Sequence, residues 1–270
     1  ADAQYCDCAV NGSRHYRASP GKMREAVEQL NREDLDFVIH LGDLIDRAFE
    51  SFEEILPIYR QLQVPTYQVR GNHDFAVDPS TKGEVVGRMG LYRRYYDFVV
   101  GSWRLVVLDT NDLSLYARRE GTAKYRRADS LYQRLLADER PNAKEWNGGV
   151  SREQLRWFDR TLAEAAARDQ RIVVFTHHPI YPSNAHNAWN DDAVLEVLGS
   201  HDHVAAVMSG HNHGGNYGAD GGIHFLTLKG MVETVDSTAY AVVEASGDRL
   251  QVNGFGREVD RGLEIPAAGR

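Results

Sequence analysis

Four short stretches of this 270-residue chain end an apolar run on side chains able to bind a metal or move a proton. "VIHLGDLID" reaches Asp43, "YQVRGNHD" reaches Asn72 and His73, "VVFTHHP" reaches His177 and His178, and "AVMSGHNHGG" reaches His211 and His213. Carboxylate, amide oxygen and neutral imidazole, with no thiolate among them, suit a pair of hard or borderline divalent cations such as Mn, Fe or Zn. A carboxylate such as Asp43 can bridge two cations, and paired cations in hydrolases activate water and neutralise charge developing on a phosphoryl group. Each stretch alone is weak. "GNHD" fits any glycine turn after a strand and leaves His73 open as ligand, proton donor or turn residue. Together they point to one crevice, because ligands of open α/β sheets sit at the carboxyl ends of the strands.

The elements that must position these ends are legible as alternating helices and short apolar runs. Ser19 with Pro20 opens a helix whose Met23, Ala26, Val27 and Leu30 share a face. Strands are expected over 36–43, 66–69 and 104–109, with a helix over 49–62 and a hairpin turn before 104. Ser151 and Gln154 form a capping box for a helix carrying Leu155, Phe158 and Leu162. Strands at 172–176 and 204–209 flank a helix near 191–199, and three more strands follow at 223–228, 239–245 and 249–255. Helix and strand alternation followed by an all-β tail predicts a layered α/β sandwich in a single domain, 1–270. Between Asn111 and Gly149 lies a basic, Tyr-rich insert with no clear periodicity, read as a cap over the site against a plain surface excursion.

Composition narrows the partners. With 42% hydrophobic residues the chain can bury a core, and a net charge of -8 disfavours a general nucleic-acid or anionic-membrane binder. An anionic substrate therefore needs local positive charge, such as a metal. Cys6 and Cys8, too close in sequence for an ordinary structural disulfide, read as free thiols in a reducing, cytoplasmic setting, unless a signal peptide has been removed. Of the 11 histidines, His201 and His203 read as a solvated turn, His224 and His40 as packing. The loop at His186 and Asn187 and the cluster Arg14, His15 and Arg17 divide evenly between substrate contact and ordinary surface.

"GDLID", "GNHD", the His of "THHP" and "GHNH" resemble, in order, the second to fifth motifs of the calcineurin-like metallophosphoesterases. Within that superfamily the chain is most similar to the manganese-dependent ADP-ribose/CDP-alcohol diphosphatases, through "ADAQYCD", "RHYRAS", "WNGGVSREQLRWF", "AWNDDAVLEVL" and "LKGMVET". The resemblance implies a four-layer α-β-β-α sandwich and a dinuclear site with Mn, or alternatively Fe or Zn. Asp2, Gln4, Asp43 and His213 would hold one cation, and Asp43, Asn72, His177 and His211 the other. His73 would be the catalytic proton donor, with Asp74 orienting its ring. A hydroxide between the cations would cleave the phosphoanhydride of a small nucleotide-derived substrate. The alternatives are a phosphomonoesterase, a cyclic nucleotide phosphodiesterase, or a non-catalytic scaffold. Most of the superfamily has Asp-x-His where this chain has Asp2-Ala3-Gln4, and a neutral amide binds more weakly than imidazole. No strand precedes Asp2 in the sequence as it stands, so this segment is expected to fray.

Overall fold

A computed structural model describes residues 1–266. Its central layer is a six-stranded sheet in the order β3-β4-β5-β6-β8-β7, formed by β3 (Tyr96–Val100), β4 (Trp103–Val107), β5 (Arg171–Phe175), β6 (Val204–Ser209), β7 (Asn216–Asp220) and β8 (Ile223–Thr227). The β4, β5, β6 and β8 strands run parallel, and β3 and β7 close the edges antiparallel. Facing it are a parallel pair, β1 (Val38–His40) with β2 (Thr66–Gln68), and an antiparallel sheet of β9 (Ala239–Ala245), β10 (Arg249–Gly256) and β11 (Arg261–Glu264).

Period-two alternation in the β4 and β5 runs builds two cores at once. Leu105, Val107, Val173 and Phe175 point between the sheets, against Leu41, Val69, Leu250, Val252 and Leu263. Val106, Leu108, Ile172 and Val174 point outward, onto Phe158 and Leu162 of α5 (Arg152–Ala166) and Val194 and Leu198 of α6 (Asp191–Leu198). On the opposite side Met23, Ala26 and Val27 of α1 (Ser19–Leu30) pack with Phe52, Ile55 and Leu56 of α2 (Ser51–Tyr59). The result is the four-layer α-β-β-α arrangement.

Several local expectations change. The segment expected to fray is pinned on both sides. The N–H groups of Asp2, Gln4 and Tyr5 donate to the carbonyls of Gly42, Asp43 and Leu44, while those of Met231 and Val232 donate to Ala1 and Asp2. Ser19 does not cap α1; its hydroxyl donates to the Ala3 carbonyl and ties the helix to that segment. The Ser151 hydroxyl accepts the Gln154 N–H, but the Gln154 amide clasps the backbone of Asp109 on both its N–H and its C=O, so the reciprocal half of the box is not made. The insert holds a 15-residue helix, α4 (Ala123–Ala137), preceded in the chain by the single-turn α3 (Val85–Arg88). Its apolar contacts, Ala128, Leu131 and Leu135, are too sparse between arginines for periodicity to reveal. Cys6 and Cys8 are disulfide-bonded rather than free: a bend at Asp7 brings their Cα atoms to 5.2 Å, within disulfide range. A bonded pair gives no support to the expected reducing, cytoplasmic setting. No helix among the described residues is long and apolar enough to cross a membrane.

Candidate metal centre

The expected ligands do converge, because the parallel strands β1, β2, β5 and β6 all deliver their carboxyl ends to the same edge. Tight glycine turns let them crowd: a Cβ at Gly71 would fall on the Asp43 carboxylate, and Gly42, at φ 95°, passes against the His177 ring. Asp2, Asp43 and His177 lie together with ligand atoms within 4.8 Å, as do His177, His178 and His211. Asp2 and Asp43 are fully buried, and neither meets a lysine or arginine side chain among the described residues. Two such carboxylates cost several kcal/mol unless positive charge offsets them.

The hydrogen bonds assign the imidazole faces. His177 donates from Nδ1 to the Leu41 carbonyl at 2.9 Å, and its Nε2 faces two oxygens, Asn72 Oδ1 at 3.0 Å and Asp43 Oδ2 at 3.4 Å. Burial alone would lower its pKa, yet the Asp43 carboxylate outweighs burial and raises it to about 9. A proton there occupies the place a cation would take, and metal binding releases such protons. His211 donates from Nε2 to Asn147 Oδ1 at 2.9 Å, which leaves Nδ1 as its lone pair. The Asn147 amide is itself fixed, since its Nδ2 donates to the carbonyls of Asn142 and Ala185. Burial and the neighbouring imidazoles hold His211 and His178 well below the ordinary histidine pKa, so both are neutral. His213 is oriented through Nδ1 by Glu233 at 2.7 Å, and its Nε2 lies 3.7 Å from Asp2 and 3.0 Å from Gln4 Nε2. Gln4 donates to Asp43 Oδ2 at 3.0 Å, while its Oε1 is buried without a partner, an orphan that a cation would satisfy. The donor set and this orphan fit a pair of divalent cations.

His73 stands at the rim, its N–H donating to Asp43 Oδ1 at 2.7 Å. The carboxylate on its Nδ1 is Asp46, at 2.9 Å, and not the expected Asp74. Asp74 is fully buried and accepts the backbone N–H groups of Gly71, Asp43, Leu44 and Ile45, clasping two ligand loops together. Adjacency in sequence favoured Asp74, but the short 3-10 turn at His73–Phe75 carries the two side chains apart. Sequence reasoning also passed over Glu233 and Asn147, although both lie within quoted stretches, "LKGMVET" and "WNGG". His178 has Nδ1 on Thr110 at 2.7 Å and Nε2 on the Trp146 carbonyl at 3.3 Å, so both nitrogens are occupied. His201 pairs with Asp159, and His224 with Tyr217 and the Glu264 carbonyl, away from the centre.

A family model, the calcineurin-like phosphoesterase, matches residues 15–215, about three quarters of the chain. The chain belongs to that family. As a calcineurin-like phosphoesterase it is a hydrolase of phosphoesters or phosphoanhydrides. The manganese-dependent ADP-ribose/CDP-alcohol diphosphatase of Homo sapiens is 28% identical over 97% of this chain and 90% of that protein. Its Danio rerio counterpart is 29% identical over 96% and 95%. A solved dimetal phosphatase from Danio rerio superposes with a TM-score of 0.87 at 29% identity, covering 98% of this chain and 97% of that one. GAP50, the anchor in the inner membrane complex of Plasmodium, shares the fold at a TM-score of 0.63 and 13% identity.

Proposed function

We propose that this phosphoesterase hydrolyses the phosphoanhydride of nucleoside diphosphate derivatives such as ADP-ribose and CDP-alcohols, using two divalent cations, with manganese the first choice. The observation that carries the reading is the position of Asp43: one carboxylate oxygen faces both Gln4 and His177, so a single side chain serves both halves of the ligand set. Asp2, Gln4, Asp43 and His213 would hold one cation, and Asp43, Asn72, His177 and His211 the other. When bound, such a pair supplies an activated water and neutralises charge on the phosphoryl oxygens. Gln4 in place of imidazole favours a hard ion such as Mn over Zn.

The chain's own residues do the rest. His73, beside the ligands but not among them, gives a proton to the departing phosphate, and Asp46 holds the ring with Nδ1 engaged so that Nε2 faces outward. Glu233 and Asn147 keep the two "GHNH" imidazoles in the tautomers that leave a lone pair toward the centre. The insert 111–149 serves as a wall more than a free lid, because both its ends are tied to the site. Tyr116 donates its hydroxyl to Asn111 at 2.6 Å and lies 3.5 Å from His178, and Trp146, whose backbone carbonyl meets the same histidine, is 48% exposed. A base stacked there would use remote binding energy to set the anhydride over the centre.

The test is metal content together with a substrate panel. ADP-ribose should give AMP and ribose 5-phosphate, and CDP-choline should give CMP and phosphocholine, with one water consumed per bond and no inorganic phosphate as primary product. Phosphate released first, or nucleoside monophosphates hydrolysed faster than the diphosphate derivatives, would replace this reading with a phosphomonoesterase.

A further inference from the structure

Arginines of the basic insert line a groove away from the metal centre. Arg126 and Arg127, with Arg134, line one side of a cavity of about 800 Å³ between α4 and the first turns of α5; Arg152 and Arg156 line the other. No expected metal ligand lines it. Its volume lies in the range of small-molecule sites, roughly 300–1,000 Å³. The one carboxylate in its wall, Glu153, is taken by Arg127 at 3.2 Å, and Arg126 donates to the Gly121 carbonyl. Arg134, Arg152 and Arg156 make no ion pair among the described residues.

This concentration of charge runs against what the local structure favours. The chain carries a net charge of -8, yet five guanidinium groups here face one carboxylate. Arg152 and Arg156 are like charges one helical turn apart, a destabilising spacing. Arg152 is also the first residue of α5, where the helix dipole favours an anion and penalises a cation. Each of these costs is removed by an anion seated between the two helices, which would meet the guanidinium forks and the amino end of a 15-residue helix together. The floor is apolar, formed by Leu113, Leu131, Val150 and Leu155. We infer that this groove is a second ligand site, separate from the metal centre, for a small organic phosphate whose apolar or aromatic body rests on that floor. Only a paired segment divides the two sites: Leu113 and Gly149 exchange backbone hydrogen bonds, Val150 faces the groove, and Asn147 holds His211 on the other side.

AMP serves as the probe, on the metal-loaded protein, read by hydrogen exchange and by binding stoichiometry. Wild type should protect amides in 123–134 and 152–156 and take up AMP at a site independent of added metal. Arg152→Glu with Arg156→Glu should abolish that protection and weaken this site about 10- to 100-fold, the worth of lost charge-assisted hydrogen bonds. Glu at the first position of α5 suits the helix dipole, so the double variant should keep its melting temperature and its hydrolytic activity. Protection confined to the strand-end loops, or unchanged in the double variant, would overturn the proposal. Inorganic phosphate should protect the same amides only at much higher concentration; equal potency would refute recognition of the organic body.

Discussion

Four of the seven expected ligands, Asp2, Gln4, Asp43 and His211, hold their backbones at φ between 45° and 67°, whereas in the insert 111–149 only Glu139 among non-glycine residues does so. Each such conformation costs roughly 1 kcal/mol or more, and it persists only where surrounding contacts over-determine it. Those contacts are present. Asp74 clasps the two loops through backbone N–H groups, and the segment at residues 1–5 is bonded on both flanks. Apart from Glu139 the insert is assembled without such strain, from a capped helix whose Ala128 and Leu135 pack with Ala143 and Trp189, and within it Asp112 takes both Arg118 and Lys124. A metal floor must hold side-chain geometry before the cation arrives, while a wall need only be in place. Strain therefore collects in the floor.

If that contrast is right, damage to the floor should be catastrophic and damage to the wall graded. Asp43→Ala should abolish turnover and strip both cations, since one carboxylate serves both halves and also accepts the His73 N–H. Metal analysis after dialysis decides it; two tightly held cations per chain would break the comparison at its base. His73→Ala removes the proposed proton donor without touching the expected ligands, so turnover should fall by about 10²- to 10⁴-fold while metal content holds. Substrates with good leaving groups should suffer less. Asp46→Asn should reproduce part of that loss and Asp74→Asn should instead lower the melting temperature, because Asp74 holds loops and Asp46 holds the ring.

What the sequence disclosed follows the same division. Ligand chemistry demands rare residue types at the ends of apolar runs, so Asp43, Asn72, His177, His211 and His213 stood out. β6 and β9 were legible to the residue because they are continuous or alternating apolar runs. β7, "NYGAD", has no such pattern and is a strand only because β8 offers it an edge. The exchange of Asp74 for Asp46 has a similar origin, since which carboxylate reaches His73 depends on the turn between β2 and the next residues, not on spacing. Asn147 meets His211 across 64 positions of sequence, a distance no motif spans.

Asn147→Ala probes the seam between floor and wall. Supporting groups of this kind are typically worth 10- to 100-fold in metal affinity or activity, and the loss should appear as weaker cation binding. A falling melting temperature alone would not distinguish the roles, since the Asn147 amide also ties two carbonyls. The discriminating reading is the gain in melting temperature on adding Mn²⁺, which should shrink in the variant. An unchanged gain would assign Asn147 to the wall alone.

The smallest effect is expected on the groove side of the basic insert. Arg126 and Arg127 lie on the groove side of α4, one bonded to the Gly121 carbonyl and the other to Glu153, and neither touches a group of the metal centre. Substitutions away from special features ordinarily change free energies by no more than about 0.5 kcal/mol, or roughly twofold. Arg126→Ala with Arg127→Ala should therefore leave kcat/KM for ADP-ribose within that factor. Trp146→Ala, by contrast, removes an exposed indole from the residue whose carbonyl meets His178 and should raise KM for ADP-ribose more than for a small chromogenic diester. A tenfold loss in the arginine pair would mean that the substrate reaches across the 147–150 segment, and the separation of wall from groove would then have to be abandoned.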